Sequence, residues 1–147
     1  MDDWLAISNL LMRYADLVDA GQLAECAALF SSSTYRVVRT DGRASVHCEG
    51  AAEVEAFFSG TILYPDGTPR TKHLITNVAI DLDGDRAAAR SYVTVLQATD
   101  TLPLQPIASG RYVDELRRVD GAWHFTDRML TGFLLGDRSQ HVEWSDS

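Results

Sequence analysis

Two side chains in this chain have the type and placement to move a proton. Asp19 closes a run with helical periodicity. On a wheel of about 100° per residue it falls inside the apolar arc, between Ser8 and Met12, whereas Asp16 falls among polar residues. It also sits in the last helical turn, where the macrodipole disfavours a carboxylate by a few tenths to about 1 kcal/mol. An inward carboxylate at that end needs a donor or cation; the plainer alternative is a frayed helix end, with Asp19 solvated beside Gly21. His73 opens a β-rich run in which alternation groups His73, Ile75, Asn77 and Ala79 on one face, with Leu74, Thr76, Val78 and Ile80 on the other. Two polar groups on a half-buried strand face describe a pocket wall, or equally a solvated strand start. Taken together, the pair suggests chemistry. A carboxylate bonded to one imidazole nitrogen fixes the tautomer, leaves the other nitrogen as a general base and stabilises the imidazolium that forms. The Gly-x-Ser-x-Gly motif of a nucleophile elbow is absent. The chemistry expected is therefore proton abstraction without a covalent intermediate.

The elements that would carry these residues follow from periodicity. Residues 3–19 read as a helix with Trp4, Ile7, Leu11, Tyr14, Ala15 and Val18 on one side, stopped by Gly21. Leu23, Cys26, Ala27 and Phe30 mark a second helix, and residues 50–59 a third with Val54, Phe57 and Phe58 inward. Residues 34–39 and 44–49 form a hairpin across Asp41-Gly42. Residues 64–71 form a loop rich in proline and glycine. Residues 73–82, 86–97, 107–119 and 122–131 form a meander, with Asp83-Gly84 and Asp120-Gly121 as hairpin turns. Helices followed by an antiparallel meander, without βαβ alternation, give an α+β class with the helices packed on one face of the sheet.

Composition narrows the function classes. The chain has 147 residues, 46% hydrophobic and 23% charged, which suits one soluble globular domain. A net charge of −8 argues against nucleic acid or an anionic membrane as partner; acids interrupt the basic residues Arg111, Arg117, Arg118 and Arg128. No apolar run approaches the roughly 20 residues of a membrane span, and the acidic start lacks the basic region of a signal peptide. The expected location is the cytoplasm. Cys26 and Cys48 do not build a metal framework, so no metal is expected; Cys26 reads as a small buried hydrophobe. His47 and His141 have no supporting context and read as surface residues.

Four stretches bear a family resemblance: 14–30 (YADLVDAGQLAECAALF), 50–58 (GAAEVEAFF), 72–77 (KHLITN) and 110–128 (GRYVDELRRVDGAWHFTDR). They resemble the SnoaL-like branch of the nuclear transport factor 2-like superfamily, over residues 3–131. The resemblance implies a cone-like barrel, in which N-terminal helices and a strongly curved, mostly antiparallel sheet enclose a deep apolar cavity. The domain would span residues 1–131, leaving 132–147 as a C-terminal tail.

Within that branch the order of features is most similar to hexachlorocyclohexane dehydrochlorinase and, more distantly, to scytalone dehydratase, lyases that use an aspartate–histidine pair and no cofactor. Asp19 and His73 match that pair, and Arg128 matches the dehydrochlorinase's pocket arginine. Tyr14 stands where that enzyme has a lysine; it could donate a hydrogen bond, or be a core tyrosine. Strict alternation from Asp120-Gly121 puts Arg128 with His124 and Thr126, on the solvent face unless a bulge changes the register. Trp4, Met12, Phe30, Phe57 and Ile75, with Asn77, would line a pocket for a small hydrophobic substrate. The implied activity is a lyase or isomerase. The alternative is a non-catalytic binding or assembly domain, since the superfamily includes both and a fold alone warrants no activity. In either case Leu74, Val78 and Ile80, with Tyr92 and Leu96, would pair copies into a homodimer or homotrimer.

Overall fold

Asp2 starts the first helix: its carboxylate accepts the Leu5 N–H at 2.7 Å. In the computed structural model, which describes residues 2–40 and 44–143, this helix is α1 (Asp3–Asp19). Its neighbour Asp3 accepts from Trp123 Nε1 at 3.0 Å and from Arg118 at 2.8 Å, tying the helix start to the far hairpin of the sheet. Ile7, Leu11, Tyr14, Ala15 and Val18 are buried as the periodicity requires. Trp4 and Met12 are not: they are 49% and 40% exposed. There follow α2 (Leu23–Ala28), β1 (Thr34–Val37), β2 (Val46–Glu49), α3 (Gly50–Phe58), β3 (Thr71–Asp83), β4 (Arg86–Gln97), β5 (Gln105–Val119) and β6 (Ala122–Leu135). The Asp41-Gly42 turn expected between β1 and β2 lies outside the described residues. Among those described, no helix is long and apolar enough to cross a membrane.

The six strands form one sheet in the order β2-β1-β6-β5-β4-β3. Every pair is antiparallel except β1 with β6, which is parallel. The expected α+β class is the one observed, but the barrel is not closed: β2 and β3 are free edges. The helices cover one face, with α1 against β3, and the core fills the space between. Ala87, Ala89, Val93 and Val95 of β4 meet Ile107, Tyr112 and Leu116 of β5 there.

Two bulges overturn the faces assigned by strict alternation. In β3 the register shifts between Thr76 and Ala79, where Asn77 takes a left-handed conformation (φ 53). Val78 and Ile80 therefore turn inward and pack on the core. They do not join Leu74 on the outer face, and Asn77 is left exposed. In β6, Glu115 faces Asp127 while Leu116 faces Phe125, so Thr126 is the extra residue. Arg128 is thereby moved to the inner face with Trp123 and Phe125, fully buried.

The chain also continues past the expected boundary at residue 131. β6 runs to Leu135, and Gly136 N–H then donates to Ile107 O at 2.8 Å. The described part of the supposed tail returns to residues 60–62: Ile62 N–H donates to His141 O at 2.8 Å and Glu143 N–H to Gly60 O at 2.9 Å.

Gly21 sets the distance between α1 and the loop leading into β3. Its φ is +74°, and a Cβ there would stand 1.9 Å from Gly67 O. Gly84, in the β3–β4 turn, has φ +60° but open space around it. Gly84→Ala should therefore cost only the conformational strain, about 1 kcal/mol. Gly21→Ala adds a backbone clash and should cost at least about 2 kcal/mol more. Denaturant unfolding of both variants checks this; equal losses would show that Gly21 only stops the helix.

Candidate functional site

The carboxylate of Asp19 points off the end of α1 toward the first residues of β3. His73 Nδ1 donates to Asp19 Oδ1 at 2.6 Å, the His73 backbone N–H to Oδ2 at 2.8 Å, and Thr71 Oγ1 to Oδ1 at 2.8 Å. These donors answer the helix dipole. Burial works to raise the Asp19 pKa, but the hydrogen bonds and charge of His73 and the Thr71 hydroxyl outweigh it, and the net shift is downward. A carboxylate only accepts, so His73 carries its proton on Nδ1 and its lone pair on Nε2.

His73 stands in the wall of a cavity of about 140 Å³. Tyr14, Tyr35, Phe57, Phe58, Val93, Val95, Tyr112 and Leu130 supply most of the apolar lining. Arg39, Arg138 and His141 also face it. An apolar cavity on the order of 150 Å³ accepts benzene, so this one takes a single ring. Among the described residues no three His, Cys, Asp or Glu side chains are grouped to hold a metal.

Beneath this cavity lies Arg128. Its Nε donates to Asp114 Oδ1 at 2.9 Å, and its guanidinium carbon stands 3.5 Å from the centre of the Tyr112 ring and 4.3 Å from that of Tyr14. Burial raises the Asp114 carboxyl against the pull of this cation. Arg128 is not among the residues lining the cavity; it lies against the rings of Tyr14 and Tyr112 and supports the floor they form. Tyr14 does face the cavity. Its hydroxyl pairs with that of Tyr35 at 3.0 Å, and burial holds both phenols well above their ordinary pKa. They can donate hydrogen bonds, but they do not ionise.

The proposed lining residues divide. Phe57 is in the wall. Phe30 is fully buried, stacked on Phe125 at 5.2 Å, and belongs to the core. Ile75 packs against the core, Asn77 is exposed at its bulge, and Trp4 and Met12 lie on the outer side of α1; none of the four lines the cavity. Cys26 is buried and its thiol is pushed up to about 12, first by burial.

The sequence reading missed His141. It is not on the surface but in the cavity wall, with its ring centre 6.3 Å from that of His73. Burial, with the nearby His73, lowers its pKa from 6.5 to about 4. A folded-state pKa below the unfolded one means that the unfolded chain binds the proton first as pH drops. Stability from this group is thus complete above about 6.5 and is lost as pH falls toward 4. His141→Gln should flatten the decline in melting temperature between those values; an unchanged slope would place the histidine in solvent.

The chain's sequence matches the SnoaL-like domain over residues 1–129. No curated protein matches it. Among solved structures it is similar to Rv3472 of Mycobacterium tuberculosis, a protein of unknown function, with 25% identity, 87% of this chain and 70% of that one covered, and a TM-score of 0.69. It is similar at 25% identity to a "Putative Scytalone Dehydratase" of Novosphingobium aromaticivorans, covering 92% and 88% with a TM-score of 0.69. ActVI-ORFA of Streptomyces coelicolor shares 20% identity over 87% and 95%, also with a TM-score of 0.69. A domain match over most of the chain, on a sheet and helices of this arrangement, makes the protein a member of the SnoaL-like family.

Proposed function

We propose that the protein is a cofactor-free lyase or isomerase that removes a carbon-bound proton from a small hydrophobic molecule. The observation that carries this reading is the 2.6 Å contact between Asp19 and His73 Nδ1 in the wall of an apolar cavity. With Nδ1 committed to Asp19, Nε2 of His73 takes the proton, and Asp19 stabilises the imidazolium as it forms. The electron pair of the broken C–H bond then expels a β-substituent, as in a dehydratase, or returns at another carbon, as in an isomerase. General-base catalysis supplies about 10²–10⁴-fold; the dry cavity and its phenol donors supply positioning and charge stabilisation. The dehydratase name of one similar structure supports the elimination branch.

The reading is tested by incubating the protein in deuterated buffer with single-ring hydroxylated, halogenated and β,γ-unsaturated carbonyl compounds and following exchange at carbon. Asp19→Asn should keep the fold and the affinity for a processed compound while slowing exchange by about 10²-fold or more, since it removes a charge needed only as the proton moves. Wild-type protein that binds members of this panel and exchanges none above the buffer rate would leave a binding domain.

The same reading includes self-association. The outer face keeps Leu74 and Tyr92, 44% and 43% exposed, although Val78 and Ile80 have turned away. A dimer or trimer through this face should bury more than about 1,000 Å². Light scattering at micromolar concentration should show it, and Leu74→Glu should dissociate it; a wild-type monomer ends the idea.

A further inference from the structure

His141 is brought into the cavity by backbone bonds on both sides of it. Its carbonyl accepts from Ile62 N–H at 2.8 Å, its N–H donates to Arg138 O at 3.0 Å, and Glu143 N–H donates to Gly60 O at 2.9 Å. The preceding residue is held too: Gln140 O accepts from Gln97 Nε2 at 3.0 Å and from the Tyr64 hydroxyl. The imidazole takes no part in these bonds. Its Nδ1 is buried and finds no partner within the described residues. Buried polar atoms in native proteins are nearly always paired, so an open one in a firmly held segment that lines a cavity can take a partner from outside the chain, a water, an ion or a ligand. Other polar groups of the wall are partly engaged: Ser109 Oγ donates to Val93 O, His73 Nδ1 is committed to Asp19, and the Tyr14–Tyr35 pair uses one of its two O–H donors.

The two imidazoles face the same space, 6.3 Å apart between centres and inclined at 62°. That spacing suits groups that touch neighbouring atoms of one small molecule, a hydrogen on one carbon and an oxygen on the next. We propose that His141 is the oxygen-binding residue of the site: its Nδ1–H donates a hydrogen bond to a carbonyl or phenolic oxygen of a single-ring substrate whose adjacent carbon yields its proton to His73. This rests on His73 being the base. As the C–H bond breaks, the proton goes to His73 Nε2, its electron pair forms the C=C bond of an enolate, and the carbonyl π pair moves onto the oxygen held by His141. No oxidant or further reactant enters. The proton returns to another carbon, or leaves with a β-substituent. The environments of the two histidines differ in the sense this division needs. His73 is bonded through Nδ1 to the Asp19 carboxylate, whereas burial lowers the pKa of His141, so that its neutral ring can donate a hydrogen bond.

The probes are 4-nitrophenol and its near-isostere 4-nitrotoluene, in which a methyl group replaces the hydroxyl. Wild-type protein should bind the phenol about fivefold to tenfold more tightly, the worth of one hydrogen bond in a dry site. His141→Phe should abolish that preference, read as the ratio of the two affinities in the same variant, and His141→Asn, which keeps an N–H, should restore part of it. Since a bulky variant can disturb folding, wild-type protein with nitrogen-15 histidine gives a second readout. The His141 Nδ1 resonance should shift with 4-nitrophenol and not with 4-nitrotoluene. A preference that survives His141→Phe, one absent from wild type, or an unmoved Nδ1 resonance overturns the assignment. None of these readouts involves exchange at carbon. Protein that shows the preference but exchanges no proton keeps His141 as the oxygen's partner and loses His73 as base; exchange without the preference removes His141 alone.

Discussion

The site stands on a buried charge. Arg128 is without solvent exposure, as is the Asp114 carboxylate opposite it in the β5–β6 ladder. Removing two such ions from water costs several kcal/mol each, and good geometry must offset this. Two hydrogen bonds do part of it, at 2.9 and 3.3 Å. Among the described residues Nη1 has no hydrogen-bond partner; the guanidinium instead lies against the rings of Tyr112, Tyr14 and Phe125. A flat guanidinium can bond at its edge and stack on its face at once, which a lysine cannot. The tyrosines resting on it are the ones whose upper faces line the cavity.

The second constraint is a carboxylate at the unfavourable end of a helix. Asp19 is tolerable there because β3 presents a hydroxyl, a backbone N–H and an imidazole to it within three residues, Thr71 to His73. Those donors arrive at that height because the loop before β3 comes against Gly21 with no room for a side chain. Helix end, loop and strand start therefore form one unit, and the orientation of His73 is fixed by bonds to its main chain as well as its ring.

What was legible in the chain was whatever depends on local periodicity. Most of the buried arc of α1 and the Asp83-Gly84 and Asp120-Gly121 turns are properties of neighbouring residues and read directly, while the wheel offered an inward Asp19 beside a solvated one. The residues that escaped depend on events elsewhere. Arg128 is inside only because Thr126 is an extra residue in β6, and alternation counted from the turn puts it outside. Val78 and Asn77 exchange faces for the same reason in β3. Trp4 and Met12 have the right character for a core face, yet the arc that meets the sheet is narrower than the apolar arc of the helix. His141 offered no periodic context at all, since its segment is irregular and is placed by hydrogen bonds to residues 60–64 and 97. Its one local sign was the Gly136 that lets the backbone pass close to Ile107 O.

The parallel pairing of β1 with β6 has a kinetic side. Thr34 and Asp127, bonded across those strands, are 93 residues apart. Tyr35, whose ring lies in the cavity wall, cannot acquire its neighbours from β6 until that strand has been synthesised and has paired with β5. Closing so long a loop must precede any reward from its contacts, which slows folding relative to a chain of local hairpins. Until then α1 and α2, with Phe30 and Leu11, have apolar faces and no sheet to cover them. The early segment therefore carries exposed apolar surface for as long as the sheet that covers it is incomplete.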